Sequence, residues 1–351
     1  MKNIPLCKPY LPEEVIEEIQ TKINKVLISG HLTQGKVVDE FEECAKEYIG
    51  CKYAIAVTNC TVGMEIALRI LELNSEDDVI VPSYTHPATY QAVRSVQANP
   101  ILVDVVKETA LLDFDKVKER ISSDTKVIMP VSLFGNPLNR HYIEEVVHNN
   151  IYIIEDAACG LGSSYMNTKT GNFPGMTVFS FHPRKIITTG EGGLITTNDE
   201  GIAEKIEAYR NFGGYKNLMG TNAKMSDINA AIGVVQFKYL DRLLDERQSL
   251  ASYYEKKFKD TTITPLKTTL YGEHSYQSFV VLVPNAINVI KQLKKYNIES
   301  QVGSYTVENY KNYPNTSCLK EQTLSLPLYY GMTREDQNFV IDNLMEIIEN
   351  E

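Results

Sequence analysis

No stretch of this 351-residue sequence approaches the ~20 consecutive apolar residues that cross a bilayer. Its opening, Met1-Lys-Asn-Ile-Pro-Leu-Cys-Lys-Pro-Tyr10, lacks the apolar core of roughly 7–15 residues that marks a secretory signal. The expectation is a soluble, cytoplasmic protein. Cysteine is sparse and scattered: Cys7, Cys44, Cys51, Cys60, Cys159 and Cys318 form no CxxC pair and have no histidine at ligand spacing. Zinc-finger and thioredoxin readings therefore fail, no metal site is expected, and reduced thiols fit best. A basic block is also missing. Lys plus Arg is 35 against 45 Asp plus Glu, a net charge of −10; such a chain repels a phosphate backbone, which argues against nucleic-acid polymers as partners. No repeat period appears, so the chain is not a solenoid.

What is there is a globular composition, 43% apolar and 23% charged, at a length that predicts two domains. Short β-branched runs recur at Ala54–Val57, Val79–Val81, Ile101–Val103, Val127–Val131, Ile151–Ile154, Thr177–Ser180 and Leu194–Thr196. Between the first two, Gly63–Leu71 has helical spacing, with Ile66, Ile70 and Leu73 on one face, and Ala88–Val96 reads likewise. Strands alternating with helices predict an α/β unit, a mostly parallel seven-stranded sheet flanked by helices. In such sheets ligands bind beyond the carboxyl ends of the strands. From Ser226 to about Lys259 the pattern is helical almost throughout, a length that predicts either a link between domains or two helices. A strand at Ser278–Val283, a helix at Ala286–Tyr296, a strand near Glu299–Val302 and a last helix at Arg334–Glu349 predict a small C-terminal α+β domain. We place the boundary near residue 240: a large domain over 1–240, with the N-terminal segment, and a small one over 241–351.

Four strand ends carry chemistry. Ile151-Tyr-Ile-Ile-Glu-Asp156 is an apolar strand closing on two acids, so Asp156 is either a solvated or capping acid or a carboxylate held for a ligand cation. Phe179-Ser-Phe-His-Pro-Arg-Lys185 leads into glycines 190, 192 and 193. Lys185 there is either a solvated charge or an amine whose pKa desolvation lowers enough to attack an aldehyde. Val57-Thr-Asn-Cys-Thr-Val-Gly63 joins a strand to a helix N-terminus, a site suited to phosphate, unless Thr58 or Thr61 merely caps the helix. Pro82-Ser-Tyr-Thr-His-Pro87 follows another strand and offers a ring to lie on a planar group, or is simply a turn. An amine, an acid, a phosphate cradle and a ring platform are together what pyridoxal phosphate needs.

The sequence resembles the DegT/DnrJ/EryC1/StrS family of sugar aminotransferases, of the fold type I (aspartate aminotransferase-like) class. The resemblance is carried by ordered blocks along nearly the whole chain: Gly30-His-Leu-Thr-Gln-Gly35, Val38–Glu42, Asp78–Thr85, Leu133-Phe-Gly135, Glu155-Asp-Ala-Ala158, Ser180-Phe-His-Pro-Arg-Lys185, Gly190-Glu-Gly-Gly193, Asn222–Ile232, Leu324–Tyr329 and Gly331-Met-Thr333. It implies that Lys185 is the Schiff-base lysine and Asp156 the partner of the pyridine nitrogen. Thr61 and Ser180 would bind the cofactor phosphate. Asn222 would reach it from the other subunit of a homodimer with shared active sites. His86 stands where relatives stack an aromatic ring. Two departures mark the cofactor site: Cys60 replaces a usual glycine, and Cys159 replaces the Gln or His near the cofactor ring oxygen, a thiol being the poorer hydrogen-bond donor. Ser132, where a His is common, is a third. The implied reaction is ping-pong transamination through pyridoxamine phosphate, from an amino acid, L-glutamate first, to a nucleotide-linked keto-deoxy sugar, C4 ahead of C3, for amino-sugar and polysaccharide biosynthesis. The alternatives are a sugar dehydratase, whose members carry His in place of the lysine, and a non-catalytic or regulatory homologue.

Overall fold

The computed structural model describes residues 3–147, 151–215, 219–307 and 310–350. All seven expected runs of the first unit are strands: β1 (Tyr53–Val57), β2 (Asp78–Pro82), β3 (Asn99–Val103), β4 (Thr125–Ile128), β5 (Tyr152–Asp156), β6 (Met176–Ser180) and β7 (Gly193–Thr197). They form one sheet in the order β1-β7-β6-β5-β4-β2-β3. Every neighbouring pair is parallel except the two that β7 makes, with β1 and with β6. Successive residues of a strand face opposite sides. Val79 and Val81 enter one apolar cluster and Ile80 another, while Ala54 and Ala56 part from Ile55 and Val57 in the same way. Both faces are thus covered, as a parallel sheet requires.

The helix after β1 spans Cys60–Arg69, so Ile70 of the expected apolar face is its C-cap and Leu73 lies beyond it; the next spans Pro87–Ser95. The long helical pattern after Ser226 is two helices, Asp227–Phe237 and Leu240–Phe258, the first capped by the Ser226 hydroxyl. The second passes between packing units: Leu240, Leu243 and Leu244 belong to the core under the large sheet, and Leu250, Ala251, Tyr254 and Phe258 to a separate cluster. That cluster lies on a four-stranded antiparallel sheet of β8 (Thr264–Pro265), β9 (Phe279–Leu282), β10 (Gln301–Val302) and β11 (Thr323–Leu326), ordered β8-β9-β11-β10. The last helix occupies the expected Arg334–Glu349. β11 and the helices Glu13–Ser29 and Lys36–Ile49 are additions to the expected elements.

The helix Lys36–Ile49 has no side-chain cap of its own. Buried Asp227, from the first turn of another helix, supplies one: its carboxylate accepts from the backbone N–H groups of Gly35 (2.8 Å), Val37 (3.0 Å) and Val38 (3.3 Å). A Cβ at Gly35 would stand 2.9 Å from that carboxylate, which explains the glycine. Asp227→Ala leaves the N–H groups of Gly35 and Val37 without their acceptor, Val38 N–H keeping the Gly35 carbonyl at 3.0 Å, and hydrogen bonds to charge are worth roughly 1.5–3 kcal/mol each. We expect a thermal midpoint several degrees lower, with a smaller loss for Asp227→Asn; an unchanged midpoint in both variants would remove the cap from the account.

Candidate active site

The carboxyl ends of β5 and β6, the segment that precedes β7 and the helix after β1 open onto one cleft of about 820 Å³. Lys185 lies in the segment between β6 and β7, half-buried. Its backbone N–H donates to His182 O (2.8 Å), and the same segment is pinned by Phe181 N to Gly192 O (2.9 Å) and Thr189 N to Phe181 O (3.0 Å). Of the three glycines that follow, Gly190 uses a left-handed backbone, φ +82°. Gly193 serves close approach instead: a Cβ there would lie 2.5 Å from the Asn59 carbonyl carbon. The absence of that atom lets the start of β7 lie against the N-terminus of the helix Cys60–Arg69.

Asp156 is the last residue of β5 and is 3% exposed. Its Oδ2 accepts from the Thr89 hydroxyl (2.7 Å) and its Oδ1 from Ala158 N–H (3.0 Å). The helix end is capped by Asn59, whose side chain accepts from Val62 N–H at 2.9 Å. The alternative in which Thr58 or Thr61 is the cap therefore fails, and the Thr61 hydroxyl has no hydrogen-bond partner among the described residues. Ser180 closes β6, its Oγ accepting from His182 N–H (3.4 Å). His86 caps the helix Pro87–Ser95 through Nδ1, which accepts from Ala88 N–H (3.2 Å). Its ring meets Tyr305 edge-on, 5.3 Å between centroids. Burial holds the imidazole below the ordinary histidine value, aided by Lys185 and His182 against Asp156. It is therefore neutral at pH 7, and a neutral ring is the better platform.

The two cysteines that depart from the resemblance are both in the cleft. The Cys60 thiol donates to Val178 O at 3.8 Å, and burial keeps its pKa far above the usual thiol range. Cys159 Sγ accepts from Lys185 Nζ at 3.3 Å. One expectation is corrected. Burial does push the Lys185 amine down, but Cys159, Cys60 and Asp156 outweigh it and its pKa lies above the ordinary lysine value. Desolvation alone gave the wrong sign because the amine sits among acidic groups.

Of the eight residues expected at the site, Asn222 alone does not line this cleft; it is exposed, in a bridge to Asn211. From the small unit, Gln301, Gly303, Ser304 and Tyr305 line the cleft, whereas His274 and Tyr276 do not. His274 is buried, stacked on Tyr276 at 4.1 Å, and serves packing. Sequence reasoning missed Thr89, although a hydroxyl one helical turn after Thr85 at a strand end was a usable signal. Ser132, the third departure, donates its hydroxyl to the buried Glu155 next to Asp156.

Three comparisons bear on this geometry. A model of the DegT/DnrJ/EryC1/StrS aminotransferase family matches residues 13–345. GDP-perosamine synthase of Caulobacter vibrioides is 34% identical over 336 residues, 90% of this chain and 91% of its own. The dTDP-3-amino-3,6-dideoxy-alpha-D-galactopyranose transaminase of Aneurinibacillus thermoaerophilus is 32% identical over 341 residues, 93% of this chain and 94% of its own. Among solved structures, Spr1654 of Streptococcus pneumoniae in its PLP form superposes with a TM-score of 0.93 at 27% identity, over 99% of both chains.

Burial pushes the Glu155 carboxyl up to about 7, Asp156 adding to the rise, while Ser132, Arg140 and Thr177 hold it back. A carboxyl held above its ordinary 4.5 keeps its proton in the folded state over a range where the unfolded chain has lost it. Its contribution to stability is therefore fullest below pH ~4.5 and falls as pH rises to ~7, by no more than about 3 kcal/mol. Glu155→Gln removes this dependence: measured from pH 4.5 to 8, the stability of the wild type should fall relative to the variant, and a difference that stays flat would refute the shift.

Proposed function

The chain belongs to the DegT/DnrJ/EryC1/StrS aminotransferase family, and we propose that it moves an amino group from an amino acid, L-glutamate in our reading, to the keto carbon of a nucleotide-linked deoxy sugar, at C4 in preference to C3. The observation that carries this reading is the convergence of Lys185, Asp156, Ser180 and Thr61 on one cleft. The names of the GDP- and dTDP-sugar relatives support the substrate class.

The cofactor is pyridoxal 5′-phosphate, and the donor set fits it. The amine of Lys185 suits an aldehyde, and the helix end beside Gly193, with an unpartnered Thr61 hydroxyl and Ser180 nearby, suits a phosphate. Asp156 keeps lone pairs free beyond its two hydrogen bonds for a protonated ring nitrogen. His86 suits the ring face. Cys60 and Cys159 complete the lining in this assignment. Bound there, the cofactor supplies a sink for the electron pair released when the donor's Cα–H bond breaks. Lys185 Nζ takes that proton and returns it, as general base and then acid. Asp156, fixed by Thr89 and Ala158, holds a proton at the ring nitrogen. Cys159 Sγ orients the amine before it reacts.

Asn222, exposed and outside the cleft, is assigned to the phosphate of a second copy in a homodimer with shared sites. Exposed apolar residues at Ile28 and Met219 support such an interface. We keep the domain boundary near residue 240, which the division of the helix Leu240–Phe258 between two cores supports. No helix among the described residues is long and apolar enough to cross a membrane, and our reading places the reaction in the cytoplasm.

Lys185→Ala should lose the visible absorbance of lysine-bound cofactor and roughly a thousandfold or more in turnover. Borohydride should trap the cofactor on Lys185 of the wild type. A variant that still transaminates would refute the role of Lys185. Incubation with glutamate and a panel of nucleotide keto-sugars identifies the acceptor, and product regiochemistry decides C4 against C3.

A further inference from the structure

We propose that Arg184 is the anion anchor of the cleft, its guanidinium binding an oxyanion group of a substrate: the carboxylate of the amino donor or the diphosphate of a nucleotide-linked acceptor. This rests on the transaminase reading for the identity of the substrates, but its geometry stands apart.

Both substrate classes are anionic, and a chain of net charge −10 repels them unless the cleft supplies fixed positive charge. The cleft lining already holds the acids Asp156 and Glu191, and the amine of Lys185 is committed to chemistry. Arg184 is the only arginine among the described residues that line it. Three hydrogen bonds hold it in place. Its backbone N–H donates to His182 Nδ1 (3.2 Å), its carbonyl accepts from Gln277 Nε2 (2.9 Å), and its Nη1 donates to Gln301 Oε1 (3.2 Å). The last two partners belong to the small unit, so the guanidinium sits on the seam of the cleft.

The neutral Gln301 amide orients the guanidinium without cancelling its charge. Arg184 forms no ion pair with any described residue, and one of its five N–H donors is engaged, leaving four for a ligand. The fork of a guanidinium matches the paired oxygens of a carboxylate or phosphate. Other arginines are spent on structure: buried Arg210 pairs with Glu42, and Arg247 donates to the carbonyls of Tyr276 and Gln277.

The test is calorimetric titration of the cofactor-loaded protein with 2-oxoglutarate, with GDP and with dTDP, for the wild type, Arg184→Gln and Arg184→Lys. Arg184→Gln should weaken at least one probe roughly ten- to hundredfold, and Arg184→Lys, which keeps charge but loses the fork, by less. Loss confined to 2-oxoglutarate assigns the carboxylate; loss confined to the nucleotides assigns the diphosphate. KM for the matching substrate should rise more than kcat falls. Unchanged binding of all three probes overturns the proposal, as does a wild type that binds none. Should Arg184→Gln fail to fold, the lysine variant decides by the same measurements. The visible cofactor band separates the two readings: its absence from the wild type defeats the transaminase assignment, while its persistence with unchanged titrations defeats only the role of Arg184.

Discussion

A carboxylate taken out of water is costly unless its oxygens are engaged, and the cleft is organised around how Asp156 meets that requirement. One oxygen takes the N–H of Ala158, in the turn that leaves β5; the other takes the hydroxyl of Thr89, in the helix that follows β2. β2 and β5 do not touch in the sheet, since β4 lies between them. The carboxylate therefore ties together two strand ends that backbone pairing leaves separate. β6, which pairs with β5 on its other side, ends where the lysine segment begins. Acid and amine consequently face one space because three strands stop at the same edge, and not because either side chain reaches far.

The topology was legible because each strand of the large sheet carries its burial in its own residues. Runs buried on both faces, such as Val79–Val81, have no polar alternation to confuse them. Asp156 was legible for a related reason, since it ends an apolar strand where a charge must have a partner, and Lys185 because it follows one within a glycine-containing segment. β11 was not legible. Thr323–Leu326 is wholly buried yet carries two hydroxyls, and its identity as a strand comes from pairing with β9 and β10, far away in sequence. The cap that Asp227 provides to the helix Lys36–Ile49 was equally hidden, since donor and acceptor lie some 190 residues apart. His274 lies three residues from the cleft-lining Gln277 in sequence yet is stacked on Tyr276 and buried, with its Nδ1 satisfied by Tyr276 N–H at 2.8 Å.

Cysteine in place of glycine at position 60 would crowd the helix end that we propose binds phosphate if its side chain stayed with the backbone donors. Instead the thiol turns to the Val178 carbonyl on β6. Its burial keeps it protonated, so it adds no negative charge where a phosphate would bind. The substitution is thus compatible with anion binding on electrostatic grounds. The glycine that cannot be replaced is Gly193, where a Cβ would strike backbone atoms of Asn59 and Cys60 rather than a side chain able to move.

Cys159 changes the state of the lysine more than its position. A thiol accepting from Nζ stabilises the charged amine, as does the nearby Asp156 carboxylate, and both act against the effect of burial. A protonated amine is not a nucleophile. Burial alone therefore does not account for a reactive Lys185. A ligand that alters the balance of charge in the cleft would shift that proton. The group in contact with that amine is Cys159, through its Sγ. That contact ties the charge state of Lys185 to what enters the cleft.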